Sequence, residues 1–417
     1  MSSILLPPYL PFHDLVKHEV NVYKIVNVLQ QYLRSNNIDV NTKDPNTKQA
    51  LVHYACYSKS LSFGSVFLDT FHEEIDIHAK TSNNETPLHF AVQRGNKGTV
   101  ETLLRLGAKS NVGRSNDGQT PIHLACRKKG SVDILKMLLF DPTVDINAQD
   151  NRKCTGLHHA VSENDIYMVK LLLKHGADPN ARDKSNATPL HIAARRSYNL
   201  IIDELLTNRA LVNVADIYGV TPLHLAVTTS NEYAVRKFLE YAGDPNFSPN
   251  VEKINIVHSA LLQNNTTILS LILKYSDNID VVDEKSLTPL EKAVEIGDEK
   301  KVKILLKYTT NPEVMRNLIM ISVSKGDMKI TKLLLESKAV AFINTISKNG
   351  SFPLLEAVNW RRIDYLALLL AYGADINLKS KDGHTALTKA SKYRFYEIEQ
   401  FLSQPEKFSS YITSYIE

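Results

Sequence analysis

The tetrapeptide Thr-Pro-Leu-His occurs three times in this chain, beginning at Thr86, Thr188 and Thr221. Closely altered copies begin at Thr120, Thr155 and Thr288, and weaker ones at Ala50, Asn255, Phe352 and Thr385. Successive starts from Ala50 to Thr288 lie 33 to 36 residues apart. A period of this length predicts an array of similar units, each packed on its neighbours, instead of one large core.

Each tetrapeptide has the composition of a helix start. A threonine before a helix is a good N-cap, because its hydroxyl oxygen accepts a hydrogen bond from an otherwise unpaired backbone N–H. Proline suits the first helical position, where its missing N–H removes no bond. Histidine then occupies the third position, from which a polar side chain can reach back to the cap. Glu291 takes that place after Thr288, which completes a capping box.

A regular sequence follows each start. A short apolar helix is predicted first, then a turn, then a second apolar helix such as residues 168–178, and then a polar finger such as residues 179–186. Gly176 and Gly373 stand where second helices should end, since glycine favours the left-handed conformation of a helix C-terminus.

This combination resembles the ankyrin repeat. It comprises the tetrapeptide, an alanine soon after it, a run of leucines and a Gly-Ala-Asp-x-Asn finger, as at Gly176 to Asn180. The resemblance covers residues 13–404 and gives about eleven repeats, which diverge at both ends. It implies an all-α solenoid of stacked helix-turn-helix repeats with short β-hairpin fingers. We expect a capping half-repeat at 1–49, an array at 50–404 and a tail at 405–417. The expected repeat starts lie near residues 50, 86, 120, 155, 188, 221, 255, 288, 317, 352 and 385.

Composition agrees with a soluble array. Hydrophobic residues make up 43% and charged residues 23% of the 417 positions, as in folded soluble proteins. No apolar run approaches the length that spans a bilayer, and the first residues make a poor secretory signal. Cys56 and Cys126 occupy positions that hold small core residues in other repeats. These features predict a reducing compartment, cytoplasmic or nuclear.

Candidate chemical sites are explained by the repeat itself. The tetrapeptide histidines recur once per repeat, so they are spread along the array instead of converging on a metal ion. Residues 113–120 contain glycine but lack the Gly-Lys-Ser/Thr ending of a phosphate-binding loop. The sequence shows no Ser/His/Asp or Cys/His set. We therefore expect no catalysis, no metal, no cofactor and no small-molecule substrate.

The resemblance implies a protein-binding scaffold or adaptor that uses the concave face formed by finger tips and first-helix ends. The residues at such positions, which we interpret as partner-binding, are Arg94, Arg114, Arg127, Lys128, Arg152, Arg182, Lys184, Arg195, Arg196 and Trp360. Trp360, the single tryptophan, has two open interpretations. It is either the centre of an interface or a side chain that packs on the neighbouring finger.

Charge favours an acidic partner. Residues 94–196 contain 17 Lys and Arg against 10 Asp and Glu, whereas the whole chain has 49 against 45. Because equivalent positions recur every 33 residues or so, we expect these basic side chains to lie side by side and to attract an acidic protein segment. Nucleic acid is the weaker alternative, since aromatic stacking residues are scarce in this stretch.

Other interpretations stay open. The many Asn, Lys and Ile residues and the imperfect repeats look similar to host-directed ankyrin proteins of large DNA viruses or intracellular bacteria, and divergent animal ankyrin proteins fit as well. An ankyrin array associated with a toxin or a membrane channel is one alternative. A substrate-recruiting ubiquitin-ligase adaptor is another, although the C-terminal Leu-Pro-rich box of such adaptors is lacking. The sequence does not set the oligomeric state.

The finger asparagines form a further pattern. Each lies eight residues after a leucine, at Asn41, Asn147, Asn180, Asn213 and Asn377. The pattern resembles the finger asparagine that an asparaginyl hydroxylase modifies in ankyrin repeats. A structural interpretation is compatible with it, in which the side chain bonds the backbone of its own finger.

Exposure of the protein to such a hydroxylase should therefore add one oxygen atom to at least one of these five asparagines. Peptide mass spectrometry of treated and untreated protein measures this directly. Unmodified peptides at all five positions would remove the hypothesis.

Overall fold

The computed structural model describes residues 21–247 and 255–415. Those residues form helices and turns, and none of them is in a β-strand. The chain divides into two compact units, Met1–Leu225 and Ala226–Glu417. No helix within the described ranges is both long and apolar enough to cross a membrane.

The first unit contains one entry helix followed by pairs of short helices. In chain order, the helices that begin in this unit are α1 (Val22–Ser35), α2 (Leu51–Cys56), α3 (Phe63–Thr70), α4 (Pro87–Arg94), α5 (Lys97–Arg105), α6 (Pro121–Arg127), α7 (Val132–Phe140), α8 (Gly156–Ser162), α9 (Ile166–Lys174), α10 (Pro189–Arg196), α11 (Asn199–Thr207) and α12 (Pro222–Thr228).

The second unit continues with similar pairs and two 3₁₀ segments. Its described α-helices are α13 (Glu232–Glu240), α14 (Ile256–Leu262), α15 (Thr266–Tyr275), α16 (Pro289–Ile296), α17 (Glu299–Leu305), α18 (Pro312–Lys325), α19 (Met328–Leu335), α20 (Pro353–Asn359), α21 (Ile363–Ala371), α22 (Ala386–Lys392), α23 (Tyr396–Ser403) and α24 (Ser409–Thr413). The 3₁₀ segments are Lys338–Phe342 and Pro405–Phe408.

The histidine of each tetrapeptide closes its own helix start. At α10, the backbone N–H of Thr188 donates to Nδ1 of His191 over 3.1 Å, and the Thr188 hydroxyl lies 2.8 Å from the same nitrogen. His191 is fully buried, so these bonds form away from competing water. The structure confirms that the third-position side chain reaches back to the cap.

The same ring also joins two repeats. Because Nδ1 of His191 accepts, the proton resides on Nε2, which donates over 3.2 Å to the carbonyl of Val220, the residue directly before the next tetrapeptide. The bonds from His89 to Gln119, from His123 to Cys154 and from His158 to Ala187 are equivalent, whereas His53 and His258 bond Ala79 and Val281, which lie seven residues before the next repeat start. One side chain therefore caps a helix and fixes the next repeat.

Glu291 performs only the first of these tasks in the geometry described. Its Oε2 accepts the backbone N–H and the hydroxyl of Thr288, both over 2.9 Å. A carboxylate accepts but does not donate, so it cannot bond a carbonyl as the histidine Nε2–H does.

The two helices of a repeat share one apolar layer. In the pair α10 and α11, Leu190 and Ala193 face Ile202 and Leu205 from opposite helices, and all four are fully buried. Alanine on the first helix lets the second helix approach closely, which explains why alanine follows each tetrapeptide. Burial of a leucine side chain of this kind contributes roughly 1.5–3 kcal/mol.

The fingers are tighter than the β-hairpins that the sequence predicts. In one finger the N–H of Asp183 donates to the carbonyl of Ala187 over 3.0 Å, and the Asp183 carboxylate accepts two backbone N–H groups. These bonds close a tight turn, and the residues on either side of it form no β-strand pairing. Adjacent fingers are linked by single backbone bonds, such as that from Lys184 N–H to the carbonyl of Arg152 over 2.9 Å.

The second unit departs from the period at α18. This helix has 14 residues and begins at Pro312, with the Asn311 side chain accepting the N–H of Glu313 as its cap. The spacing predicts a repeat start near Asn317, so the helix begins five residues earlier. The expected starts at Thr288 and Asn317 are only 29 residues apart, so the finger between them is short. Its last residues, from Pro312, form the beginning of α18.

Both ends of the array carry additional helices. At the N-terminal end, α1 packs on α3 through Val26, Leu29 and Leu33, whereas residues 1–20 of the expected half-repeat lie outside the described residues. At the C-terminal end, α24 packs on α21, and the Tyr411 hydroxyl donates to the Asp364 carboxylate.

The buried histidines make stability depend on pH. Burial lowers the pKa of His89 to about 4, and it also lowers those of His53, His123, His158 and His191. An unfolded chain would bind these protons first as the pH falls below about 6.5. We therefore expect the histidine contribution to be intact above about pH 6.5 and to be lost as the pH falls toward 4. Urea unfolding at a series of pH values measures the loss.

A His89→Gln variant provides the control, because its amide can cap the helix without titrating in this range. Its stability should fall less steeply with decreasing pH, by up to about 1.4 kcal/mol per pH unit for the one proton removed. Equal slopes for the two proteins would contradict the linkage.

Candidate protein-binding surface

Six of the nine basic side chains interpreted as partner-binding are exposed and have no carboxylate partner among the described residues. These residues, which we call the basic surface, are Arg127, Arg152, Arg182, Lys184, Arg195 and Arg196. Arg127 donates to the side-chain oxygen of Gln119 over 3.0 Å, and its charge helps to lower the pKa of Asp117 without forming an ion pair with it. All six stand at finger tips or first-helix ends, as the sequence analysis expected of their positions.

The finger members are held in place by backbone bonds. Arg152 and Lys184 stand on adjacent fingers, which the Lys184 N–H to Arg152 carbonyl bond joins directly. Arg182 lies on the same finger as Lys184 and lines an open, polar groove of about 480 Å³ between the two fingers. Asp178 and Asp183 line that groove as well, so its charge is mixed.

The helix-end members result from how α10 terminates. Ala193 and Ala194 are buried against the second helix, and the next turn of the helix therefore points Arg195 and Arg196 into solvent. Ser197 then adopts a left-handed conformation with φ of 57°, which ends the helix and turns the chain away. Basic residues at this end also interact favourably with the partial negative charge of the helix C-terminus.

Arg114 differs from these six, because the protein neutralises it internally. Its guanidinium contacts Glu85 over 3.3 Å and also forms a close ion pair with Asp117. The side chain is only 11% exposed. Arg114 thus links two fingers and has no free charge for a partner, so we leave it out of the basic surface.

Lys128 and Arg94 are also engaged by neighbours. The Lys128 ammonium donates to the backbone carbonyls of Gln93 and Arg94, over 2.8 and 2.9 Å, and so caps the C-terminus of α4. Burial and the nearby Arg94 guanidinium lower the pKa of Lys128. The Arg94 guanidinium lies 5.8 Å from the centroid of the Tyr57 ring. These two cations have structural contacts that the sequence did not reveal.

The repeat that starts at Thr155 interrupts the row of helix-end cations. Its first helix ends with Ser162 and Glu163, in the positions that Arg195 and Arg196 occupy one repeat later. Helix-end cations are therefore not present in every repeat. The sequence contained the signal, since aligning the repeats by their threonines places Glu163 between Lys128 and Arg196.

Trp360 follows α20 in the second unit and is 53% exposed. Its indole N–H donates to Oε1 of Glu356 over 2.9 Å, within its own repeat. The residue is half-exposed, and this bond holds the indole in one orientation. The exposure is compatible with the interpretation of Trp360 as the centre of an interface.

The finger asparagines connect repeats. The Asn180 side chain accepts the N–H of Leu211 over 2.8 Å and donates to the carbonyl of Arg209 over 3.2 Å, both in the following repeat. Asn41 and Asn147 make corresponding bonds to Asp76 and Asp178. For these three asparagines, the expectation that the side chain bonds its own finger is wrong, because the aspartate two residues earlier does so, as Asp178 does for Asn180. Asn213 and Asn377 are exposed.

His159, Cys56 and Cys126 have side chains that are largely or fully enclosed by the first unit. Burial lowers the pKa of His159 to about 4, against the opposing effect of its 3.0 Å contact with Asp150. The thiols of Cys56 and Cys126 are fully buried, which raises their pKa and makes them poor nucleophiles. Across 21–247 and 255–415, no group of three or more His, Cys, Asp or Glu side chains is arranged to hold a metal ion.

The contrast between Arg114 and Arg182 gives a stability test. Arg114→Met should lower the free energy of unfolding by about 1–3 kcal/mol, because Glu85 and Asp117 would lose their partner in a half-buried site. Arg182→Met should change it by less than about 0.5 kcal/mol, since the side chain is exposed and unpaired with any described carboxylate. Urea unfolding of both variants checks this, and equal losses would show that Arg114 is no more structural than Arg182.

Comparison with known proteins gives one family. A family model described as "Ankyrin repeats (3 copies)" matches residues 53–150, 157–249 and 319–411, which is more than half of the chain. A fowlpox virus (strain NVSL) protein described as an ankyrin repeat protein, FPV031, is 40% identical over 93 residues, covering 22% of this chain and 27% of its own. Alpha-latrotoxin-Lg1a of Latrodectus geometricus is 37% identical over 94 residues, covering 22% and 7%.

The transient receptor potential channel pyrexia of Drosophila melanogaster is 34% identical over 118 residues, covering 28% of this chain and 12% of its own. The chain thus spans about a quarter or less of the length of these relatives. The repeated capping histidines, the paired helices, the linked fingers and the family match agree with one another: the chain belongs to the ankyrin repeat family.

Proposed function

We propose that this protein is a non-catalytic protein-binding scaffold or adaptor whose first unit binds an acidic protein segment. One observation carries the proposal. The six cations of the basic surface are exposed and lack a carboxylate partner among the described residues, whereas Arg114 in the same unit is neutralised internally. Surface charges left uncompensated in this way are available to an external anion.

The arginine-rich basic surface suits carboxylates. Five of the six side chains, all but Lys184, are arginines, whose planar guanidinium groups bind carboxylates with two parallel hydrogen bonds. The backbone bond between the Arg152 and Lys184 fingers holds two cations on adjacent repeats. An extended peptide that crosses the repeats would meet such cations in succession.

Nucleic acid fits the same surface less well. Asp178 and Asp183 line the groove that contains Arg182, and Glu163 interrupts the helix-end cations. These carboxylates would repel a regular series of phosphates. A peptide has irregularly spaced charges, so it can place neutral or basic residues against them.

The cellular setting is part of the proposal. Free, buried Cys56 and Cys126 support action in a reducing compartment, the cytoplasm or the nucleus. Similarity to a fowlpox virus protein over 93 residues supports a host-directed role. The toxin and channel relatives match over small fractions of their own lengths, and we propose nothing of their activities for this chain.

Cross-link mapping tests the binding surface. The probe is a synthetic peptide of about twenty residues, rich in Glu and Asp, that carries a photoreactive group. We expect its cross-links to map near the basic surface and to decrease as salt screens the charges. The double variant Arg195→Glu with Arg196→Glu should reduce the yield there by at least about fivefold, because charge reversal both removes attraction and adds repulsion.

A matched variant controls for net charge. Lys109→Glu with Lys174→Glu makes the same charge change at two exposed first-unit positions outside the basic surface. It should leave the cross-link pattern in place. If both double variants reduce the yield equally, or if cross-links map elsewhere in the first unit, the proposed surface is wrong.

A further inference from the structure

Two half-exposed aromatic side chains occupy the same position in successive repeats of the second unit. Trp360 follows α20 as its C-cap, and Tyr393 follows α22 as its C-cap, 33 residues later. Each is 53% exposed. Large aromatic side chains are enriched at protein interfaces and scarce on free surfaces, so this recurrence at a partner-facing position is informative.

The indole of Trp360 is held in one orientation. Its N–H donates to Glu356, and the same carboxylate accepts from the Ser351 hydroxyl over 3.0 Å and the Asn359 amide over 3.2 Å. Glu356 therefore has three donors within its own repeat. The ring is fixed before any ligand arrives, which reduces the entropy lost on binding.

Cations surround the second aromatic group. The ammonium groups of Lys389 and Lys392 lie 5.8 and 6.0 Å from the centroid of the Tyr393 ring. The ring of Phe395 stacks beside Tyr393 at 5.9 Å, and the guanidinium of Arg361 lies 4.2 Å from the centroid of Phe395. Within the described part of the chain, none of these three cations forms an ion pair with a carboxylate.

We infer that Trp360, Arg361, Lys389, Lys392 and Tyr393, which we call the aromatic surface, bind an acidic peptide segment that also presents an apolar side chain. The acidic part of the peptide is inferred from charge complementarity, because Arg361, Lys389 and Lys392 form no ion pair with a carboxylate of the described residues. The apolar part is inferred from the half-exposed indole and phenol rings, because packing an apolar side chain on them removes hydrophobic surface from water. The nearby carboxylate, Glu356, forms no ion pair with these cations and accepts only from neutral donors, the Trp360 indole and the side chains of Ser351 and Asn359.

Single-stranded nucleic acid is less well suited to the aromatic surface. Base stacking needs an open ring face, whereas Tyr393 is stacked beside Phe395 and has two ammonium groups near its ring. The cations and rings are arranged for carboxylates and aliphatic groups.

This inference rests on the proposed protein-binding function but concerns a different surface in a different unit. The basic surface consists of charged groups on fingers and helix ends, whereas the aromatic surface is built around two rings. Each surface has its own readout, so one can fail without the other. The Arg195→Glu with Arg196→Glu variant should leave binding at the aromatic surface unchanged.

Fluorescence of Trp360 tests the inference without a label, because the chain contains one tryptophan. The probe is a soluble twelve-residue peptide that contains Glu and Leu in equal numbers. We expect a saturable change in Trp360 emission, with half-saturation on the order of 100 µM for an unoptimised sequence. Peptides with Lys in place of Glu, or Ser in place of Leu, should bind at least about fivefold more weakly.

Variants of the full chain locate the site. Tyr393→Ala and Lys392→Glu should each raise the half-saturation concentration at least about fivefold. Tyr396→Ala and Lys303→Glu are the controls, since these residues are also exposed but lie on second helices. Circular dichroism establishes that each variant is folded.

Several results would overturn the inference. They are an unchanged Trp360 emission, equal responses to the Glu and Lys peptides, or equal effects of Tyr393→Ala and Tyr396→Ala. Tighter binding of a twelve-residue deoxythymidine oligonucleotide than of the acidic peptide would assign the surface to nucleic acid instead.

Discussion

The first unit of this protein depends on one histidine per repeat, from His53 to His191, that makes hydrogen bonds in two directions. The Nδ1 atom of His191 accepts from the backbone N–H that begins its own helix, and the Nε2–H group donates to the carbonyl directly before the next tetrapeptide. Local helix formation and repeat stacking are consequently coupled through one ring. Because the ring is buried and neutral, its two bonds are strong enough to set the register of the helices on which every finger and helix end depends.

The register of the helices determines which charged side chains pair inside the protein and which face solvent. Arg114 and Lys128 satisfy carboxylates or helix carbonyls inside the protein, whereas Arg182 and Arg196 stand in solvent. The formal charge of residues 94–196 does not distinguish these groups. What matters for recognition is the charge that remains after internal pairing, and part of this remainder lies on particular fingers and helix ends. The second unit adds aromatic rings to its free cations and so offers a partner different chemistry.

The helix starts, the paired helices and the family could be predicted from the sequence, because they follow from local capping chemistry repeated at a fixed spacing. The internal pairing of Arg114 could not, since its partner Glu85 is 29 residues away, on another finger. The inter-repeat bonds of Asn180 were missed for the same reason. The early start of α18 depends on Asn311 and Pro312, which cap a helix well but lie outside the repeated tetrapeptide. Glu163 is different, because careful alignment of the repeats would have revealed it.

The repeated inter-repeat bond also bears on how such a chain changes length. Each histidine bonds a backbone carbonyl, and every residue supplies a backbone carbonyl whatever its side chain. The bond at a junction therefore requires no particular side chain in the sequence that follows it. Duplication or deletion of one whole repeat then recreates a junction of the same kind. Where Glu291 replaces histidine, that bond is lost and neighbouring apolar contacts must hold the junction. Gain and loss of repeats should be easiest in the histidine-bearing part of the array, where new binding positions can arise without redesigning the core.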